Sequence, residues 1–366
     1  MRTLDRSAPL AATPFAATLL RWFAAKGRQL PWRDTQDPYA IWLSEVILQQ
    51  TRIDQGMAYW QRFMARFPRV EDLAEATEDE VLRLWQGLGY YSRARNLHTA
   101  ARQIVAQGGF PHTYGAIRAL KGVGDYTAAA IGSIAFHLPV AVVDGNVYRL
   151  LARYFGIDTP INTTAGKKLF AALAQEHLPP GEASAFNQAM MDFGAIQCTP
   201  RAPHCADCPL AEGCDALRTN RTGLLPVKER KLKVTTRQMA WVVVRSEGGV
   251  ALRRRPAGDI WQGLWEPVNL TDGPQAATVT GHRAEWLPVA RQIRHVLTHR
   301  ILLADFYLWQ PEKRPLLPDT YQWVDENDID SHALPRLIET GFERIAQQDS
   351  ERAAQARTRK QPSEQR

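Results

Sequence analysis

Cysteine is scarce in this chain. There are four in 366 residues, all of them between positions 198 and 214. A disulfide framework spread over the molecule is therefore excluded, and a tight cluster of thiols in a reducing compartment argues for a metal. No segment approaches the ~20 consecutive apolar residues of a membrane-spanning helix. The opening stretch MRTLDRSAPLAATPFAATLL has no sustained apolar core with a cleavage site, so a signal peptide is not expected and a cytoplasmic protein is. Strand-like sequence is missing before residue 235, and no internal repeat is found. Acidic residues are outnumbered, giving a net charge of +7, which leans towards a polyanionic partner without naming one.

The first 220 residues read as helices. Runs fall at 14–25, 39–51, 57–66, 78–86, 92–106, 113–119, 125–136, 146–155, 165–176 and 182–195. Asp37 is placed as an N-cap with Pro38 at the first helical position. The run 39–51 is apolar almost all round, which predicts a buried helix. From 218 to 236 the sequence turns basic, with Gly223, Pro226, Lys228, Arg230, Lys231 and Lys233, and reads as a linker. Beyond it, Met239–Arg245 and Val250–Arg254 predict a hairpin turning at Gly248-Gly249. Further strands are expected at 301–309 and 321–324, and a helix at 334–346. The fold class is thus multidomain: an all-α region over 1–217, a linker over 218–236, an α+β domain over 237–346, and a polar tail over 347–366 expected to be disordered.

Four features carry chemistry. Leu120-Lys121-Gly122-Val123-Gly124 is a glycine hairpin ahead of a helix, and a helix N-terminus behind such a turn favours an anion. Asp144, in Val143-Asp144-Gly145-Asn146, stands just before another helix. It is a cap by position, and that position is expected to keep its carboxylate ionised. Glu45 is the only acidic residue of the run 39–51 and shares a face with Ile41 and Leu48. Burial would raise its pKa and suit it to general acid work; the alternative is exposure to solvent or pairing with Arg33 or Arg52. A neutral acid and an anionic carboxylate together form the pair that cleaves glycosidic bonds. The thiols Cys198, Cys205, Cys208 and Cys214 suit one tetranuclear cluster or one zinc, and four ligands leave no open position for catalysis.

The hairpin, the Asp144 segment and the cysteine spacing together resemble the helix-hairpin-helix DNA glycosylases that carry a [4Fe-4S] cluster. Within them, the stretches from Trp42 to Thr51, Gly87 to Leu97 and Phe186 to Asp192 resemble the adenine glycosylase (MutY) family, densely over about 30–214 and more thinly over 237–345. The resemblance implies a helix-hairpin-helix catalytic region with one cluster and a Nudix-like C-terminal domain for lesion recognition. It implies excision of adenine opposite 8-oxoguanine, and opposite guanine, from double-stranded DNA after the base is flipped out. Glu45 would protonate adenine N7 and Asp144 would stabilise the sugar cation or form a transient adduct. Tyr126 and Asn146 would hydrogen-bond around them. Trp32, Arg33, Leu48 and Gln188 match the adenine pocket. Gln50, Thr51, Leu88 and Tyr90 match residues around 8-oxoguanine, with Tyr90 a wedge or a core aromatic. Lys121, Gly122, Val123 and Gly124 would grip the DNA backbone. A monomer with no membrane partner is expected, nucleoid-associated if bacterial.

Endonuclease III-like relatives carry a lysine where this chain has Tyr126, and a phenol cannot form the Schiff base that cleaves the strand. A monofunctional enzyme is therefore expected. The rivals are a pyrimidine glycosylase with lyase activity and a catalytically silent DNA-binding protein on the same fold. In the C-terminal domain, the stretch from Gly263 to Pro288 holds only Glu266 and Glu285, at the wrong spacing for a Nudix magnesium site. That domain should bind without hydrolysing. The family's lesion loop is matched by Leu297-Thr298-His299, which keeps a hydroxyl and an imidazole but not the usual aromatic; Thr298 and His299 are the expected contacts.

Overall fold

Local capping sets most helix boundaries. The computed structural model describes residues 12–229, 234–271 and 279–359, with side chains to 355. Helix α1 (Pro14–Lys26) starts where the Thr13 hydroxyl accepts from the Ala16 amide. A 3-10 turn (Pro31–Arg33) precedes α2 (Pro38–Ile47), capped by Asp37 as expected. Helix α2 is shorter than predicted: it ends at Ile47, and Gln50 adopts φ 60°, which no helix accommodates. Then come α3 (Ile53–Arg66), α4 (Val70–Glu75), α5 (Glu78–Trp85), α6 (Ser92–Ala106) and α7 (Tyr114–Arg118). They are followed by α8 (Asp125–Phe136), α9 (Gly145–Tyr154), α10 (Thr164–Glu176), α11 (Ala183–Asp192) and α12 (Asp215–Arg218). The short α4 and α12 fall below the length at which periodicity is visible. Residues 193–197, where the predicted run 182–195 ends, form a π-turn.

The chain divides into two units, 1–76 with 96–230, and 77–95 with 231–366. This corrects the expected boundary at 217. Residues 77–95 pack with the C-terminal part because Arg95 donates to the Gln262 carbonyl, Arg254 pairs with Asp79, and Gln86 bonds Glu339. The expected linker is corrected as well. Leu225 is buried in the helical core with Phe15, Leu150 and Phe186, and Val227 accepts from the Ile161 amide, so 218–229 is docked chain. Residues 230–233 of that linker lie outside the described residues.

The second unit holds a seven-stranded mixed sheet of order β3-β2-β1-β6-β5, with β4 paired to β1 and β7 to β2. The strands are β1 (Thr235–Ser246), β2 (Gly249–Arg254), β3 (Trp265–Glu266), β4 (Val268–Asn269), β5 (Leu287–Val296), β6 (Arg300–Trp309) and β7 (Tyr321–Asp325). β1 and β6 run parallel and the other pairs antiparallel. The period-2 alternation of β1 sends Met239, Trp241 and Val243 to one face and Val242 and Val244 to the other. On the first face Trp241 stacks on Phe306 at 5.2 Å beneath Leu337, Ile338 and Ile345 of α13 (Arg336–Arg359). The β1–β2 turn falls at Glu247-Gly248, both at positive φ, one residue earlier than expected.

The expected disordered tail is corrected over 347–359, which continues α13; 360–366 lies outside the described residues. Gln, Glu, Arg and Ala propagate helix well, Asp349 pairs with Arg245, and Gln348 donates to the Val289 carbonyl.

Candidate active site

Glu45 projects from α2 into a cavity of about 440 Å³ in the helical unit, within the usual range for small-ligand sites. The same cavity is lined by Trp32, Arg33, Leu48, Gln50, Thr51, Tyr126, Asp144, Asn146 and Gln188. The structure thus brings together ten of the residues singled out from sequence, drawn from five separate segments. Glu45 is 8 % exposed. The Tyr126 hydroxyl, from the first turn of α8, donates to its Oε2 at 2.7 Å. Burial pushes the Glu45 carboxyl up to about 6; the Tyr126 hydrogen bond opposes this, the Asp144 charge adds to it, and Arg33 opposes it. Of the expected alternatives, solvent exposure is not found, Arg33 is engaged with Asp192, and among the described residues no ion pair joins Glu45 to Arg33 or Arg52.

Asp144 is the N-cap of α9. Its Oδ1 accepts from the amides of Asn146 at 2.8 Å and Val147 at 2.7 Å, and its Oδ2 accepts from the Asn146 side chain at 2.8 Å. The expected downward pull of the helix terminus is present but outweighed. Burial raises the Asp144 pKa above the ordinary carboxylate value, against the hydrogen bonds from Val147 and Asn146 and the charge of Arg149. Gly194, in the π-turn after α11, permits the approach of Asn146: a Cβ there would lie 2.6 Å from the Asn146 carbonyl oxygen.

In the glycine hairpin only Gly122 needs its freedom. It sits at φ 78°, and an added Cβ would meet the Asn96 Cβ at 2.6 Å. Gly124 is extended, at φ −96°, and caps α8, so one of the two hairpin glycines takes the left-handed region and the other does not. Lys121 is exposed with its amide bonded to Gln103, and Val123 is buried.

Cys198, Cys205, Cys208 and Cys214 ring one cavity of about 30 Å³, together with Arg153. Among the described residues no three Cys, His, Asp or Glu side chains close on a point as a single ion would require. Arg153 donates to Cys198 Sγ at 3.3 Å and to the carbonyls of Thr199 and Pro200. Arg149 reaches from the Cys198 carbonyl at 2.8 Å to the Asn146 side chain at 2.8 Å. Sequence reading missed both arginines; their spacing of four on α9, on the side facing the thiols, was the available signal.

In the other unit, Tyr90 is 47 % exposed at φ 48°, and its hydroxyl bonds that of Thr298 at the β5–β6 turn. The Arg93 guanidinium stands 5.1 Å from the Trp85 ring and 5.5 Å from the Tyr90 ring, and Trp85 donates to the Gly89 carbonyl. The core-aromatic alternative for Tyr90 is thereby excluded. Leu88 is buried here, and Leu297 packs against the β-sheet core instead of facing outwards. His299 is exposed. Glu266 and Glu285 are both occupied: Glu266 is buried and accepts from Arg253, Arg255, Trp241 and Asn269, and Glu285 accepts from Trp309 and His282.

A paired glutamate and aspartate lining one base-sized cavity, behind a glycine hairpin in a helical unit, define a base-excision glycosylase. The model of the HhH-GPD superfamily base excision DNA repair proteins matches residues 43–178, and that of the NUDIX domain matches 239–344. The adenine DNA glycosylase of Buchnera aphidicola subsp. Baizongia pistaciae is 35 % identical over 295 residues, spanning 79 % of this chain and 84 % of that protein. The human adenine DNA glycosylase is 43 % identical over 215 residues, 56 % of this chain and 39 % of that one. The structure of a thermostable thymine-DNA glycosylase superposes with a TM-score of 0.52 at 33 % identity, covering 56 % of this chain and 95 % of that one. This chain belongs to the adenine DNA glycosylase family and acts in base excision repair.

Proposed function

We propose that the enzyme removes adenine mispaired with 8-oxoguanine or guanine by hydrolysis of the N-glycosidic bond, without cleaving the strand. The observation that carries this reading is the Tyr126–Glu45 hydrogen bond in the cavity that also holds Asp144. The flipped adenine enters the cavity. Protonated Glu45 donates to adenine N7, the C1′–N9 bond breaks, and its electron pair leaves with the base. Asp144 stabilises the sugar cation by charge or by a transient bond to C1′. Water then adds at C1′ and its proton passes to a carboxylate. A pKa near 6 leaves a working fraction of Glu45 protonated near neutrality, where an ordinary glutamate would have almost none. Tyr126 fills the position from which a lysine would attack the sugar, and a phenol has no amine for that step.

Trp32, Arg33, Leu48 and Gln188 form the adenine pocket in this reading. In the second unit Leu88, Tyr90, Thr298 and His299 read the opposite base, the Tyr90 and Thr298 hydroxyls being bonded to each other; in the helical unit Gln50 and Thr51 are assigned to the same base. Lys121 through Gly124 hold the backbone. The four thiols, which ring one cavity, take one [4Fe-4S] cluster in this reading. When bound, the cluster ties the 198–214 loop together; the chemistry at the base does not pass through it. The enzyme works as a monomer in the cytoplasm, on the nucleoid if bacterial.

The test is a glycosylase assay on duplexes carrying A·8-oxoguanine, A·G, A·T and an oxidised pyrimidine, with and without alkali. Excision from the first two, with strand breaks only after alkali, is expected. Breaks without alkali would sink the monofunctional reading, and release of the pyrimidine would sink the substrate. Iron analysis with visible absorbance tests the cluster.

A further inference from the structure

The helical unit holds a third buried carboxylate that the reaction does not use. Asp192, the last residue of α11, is fully buried. Its two oxygens take five donors from two arginines. Oδ2 accepts from the Arg28 amide at 2.9 Å and from Arg33 Nη1 at 2.8 Å. Oδ1 accepts from Arg28 Nε at 2.9 Å, from Arg28 Nη2, and from Arg33 Nη2 at 2.8 Å. Arg33 Nη1 also donates to the Arg28 carbonyl at 2.8 Å, so the three residues are locked to one another.

Both arginines line the Glu45 cavity. The ionisable groups lining that cavity with Glu45 are Arg28 and Arg33 around the 3-10 turn, Arg52 beyond α2, Tyr126 on α8 and Asp144 at the start of α9, and those that act on Glu45 are Tyr126, Asp144 and Arg33. Of the cations there, Arg33 is the one whose charge bears on Glu45, and a guanidinium free to pair with that carboxyl would favour its ionised form. In the structure that pairing does not occur for Arg33, because its planar fork is spent bidentately on Asp192.

We infer that Asp192 is a positioning residue for base excision: it captures Arg28 and Arg33 so that they shape the adenine pocket without pairing with Glu45, which stays free to carry the proton. This rests on the reading of Glu45 as the general acid. Burial alone would raise Asp192, yet the hydrogen bonds from Arg33 and Arg28 outweigh it and hold its carboxyl below the usual range, so it stays charged through the pH range in which Glu45 titrates. Substituting Asp192 by Asn keeps the shape, removes the charge and releases Arg33 towards Glu45. Substituting Arg33 by Gln removes the cation whose charge bears on Glu45.

The experiment is single-turnover adenine excision from an A·8-oxoguanine duplex across roughly pH 5 to 9, with folding checked by circular dichroism. In the wild type the rate should fall as pH rises through the Glu45 pKa. Asp192→Asn should move that midpoint down by roughly one unit, Arg33→Gln should move it up, and Asp192→Glu should restore it. A carboxylate that merely held the fold would lower the active fraction and leave the midpoint alone. Unmoved midpoints in the folded variants overturn the inference. If Asp192→Asn fails to fold, an unmoved midpoint in Arg33→Gln overturns it alone. Glu45→Gln separates the two failures: near-normal excision by that variant defeats the general-acid reading itself, whereas an inactive Glu45→Gln with unmoved midpoints defeats only the role of Asp192.

Discussion

Replacing Glu45 by Gln should abolish excision and, at the same pH, stabilise the protein. The wild-type carboxyl is raised from 4.5 to about 6 in the fold, mainly by burial. A folded pKa above the unfolded one means the contribution to stability is fully present below the unfolded pKa and is lost as pH rises through the folded value. Above pH ~7 the folded state therefore carries a buried charge at a cost of about 2 kcal/mol, from a shift of about 1.5 units at about 1.36 kcal/mol each. Gln is uncharged at every pH and can still accept from Tyr126. Thermal melts of both proteins at pH ~8 and pH ~4.5 should show the variant higher by about 4–8 °C in the helical unit's transition at the first pH. The two should melt nearly together at the second. Comparing the pair at each pH cancels every other titrating group. A variant that melts below wild type at pH ~8, or a gap of equal size at both pH values, would refute the claim that Glu45 is buried as a strained acid.

Asp144→Asn should lose excision while keeping its melting temperature within about 1–2 °C, since Asn caps a helix about as well as Asp; a large drop in melting would mean the charge also holds the fold. Gly122→Ala places a side chain at φ 78° against Asn96, so it should destabilise the helical unit by at least ~1–2 kcal/mol and weaken duplex binding in a binding titration. Glu266→Ala leaves Arg253 and Arg255 buried without their shared carboxylate and should take ~3–5 kcal/mol from the C-terminal unit, read as an early melting transition. A wild-type melting profile for either of the last two would contradict the packing described.

What could be read without the fold was local. The Asp37 cap, the all-apolar face around Glu45 and the run 125–136 are fixed by neighbours within one or two turns, and the structure reproduces them. What escaped was set by partners far along the chain. Residues 218–229 look like a linker by composition but are held by Ile161 and by the core around Leu225. Strands β3 and β4 have two residues each and exist only through β2 and β1. The tail beyond 346 carries no apolar stripe, yet helix propensity and pairing with Arg245 suffice to continue α13. The cavity residues were legible through family motifs. The balance of effects on their charges was not, because burial is a property of the packed unit: for Asp144 the desolvation of its surroundings raises the pKa against the donors of its own helix start.

Three carboxylates in the helical unit, Glu45, Asp144 and Asp192, have nearly the same intrinsic acidity, and their partners divide them into different roles. Asp192 meets five N–H donors on two guanidinium-bearing residues and is held low. Asp144 is raised by burial but keeps three donors from the start of its own helix, donors that strengthen as negative charge appears. Glu45 has a single phenol donor and is the one raised to about 6. The number and charge of the hydrogen-bond donors thus orders the site: five cationic or amide donors keep an anion, three neutral ones support an anion under strain, and one leaves an acid. An added donor at Glu45 would lower its pKa and remove the acid, and a lost donor at Asp144 would raise its pKa and remove the anion. Within this cavity the two roles cannot be exchanged by swapping Asp for Glu; they can be exchanged only by moving the donors.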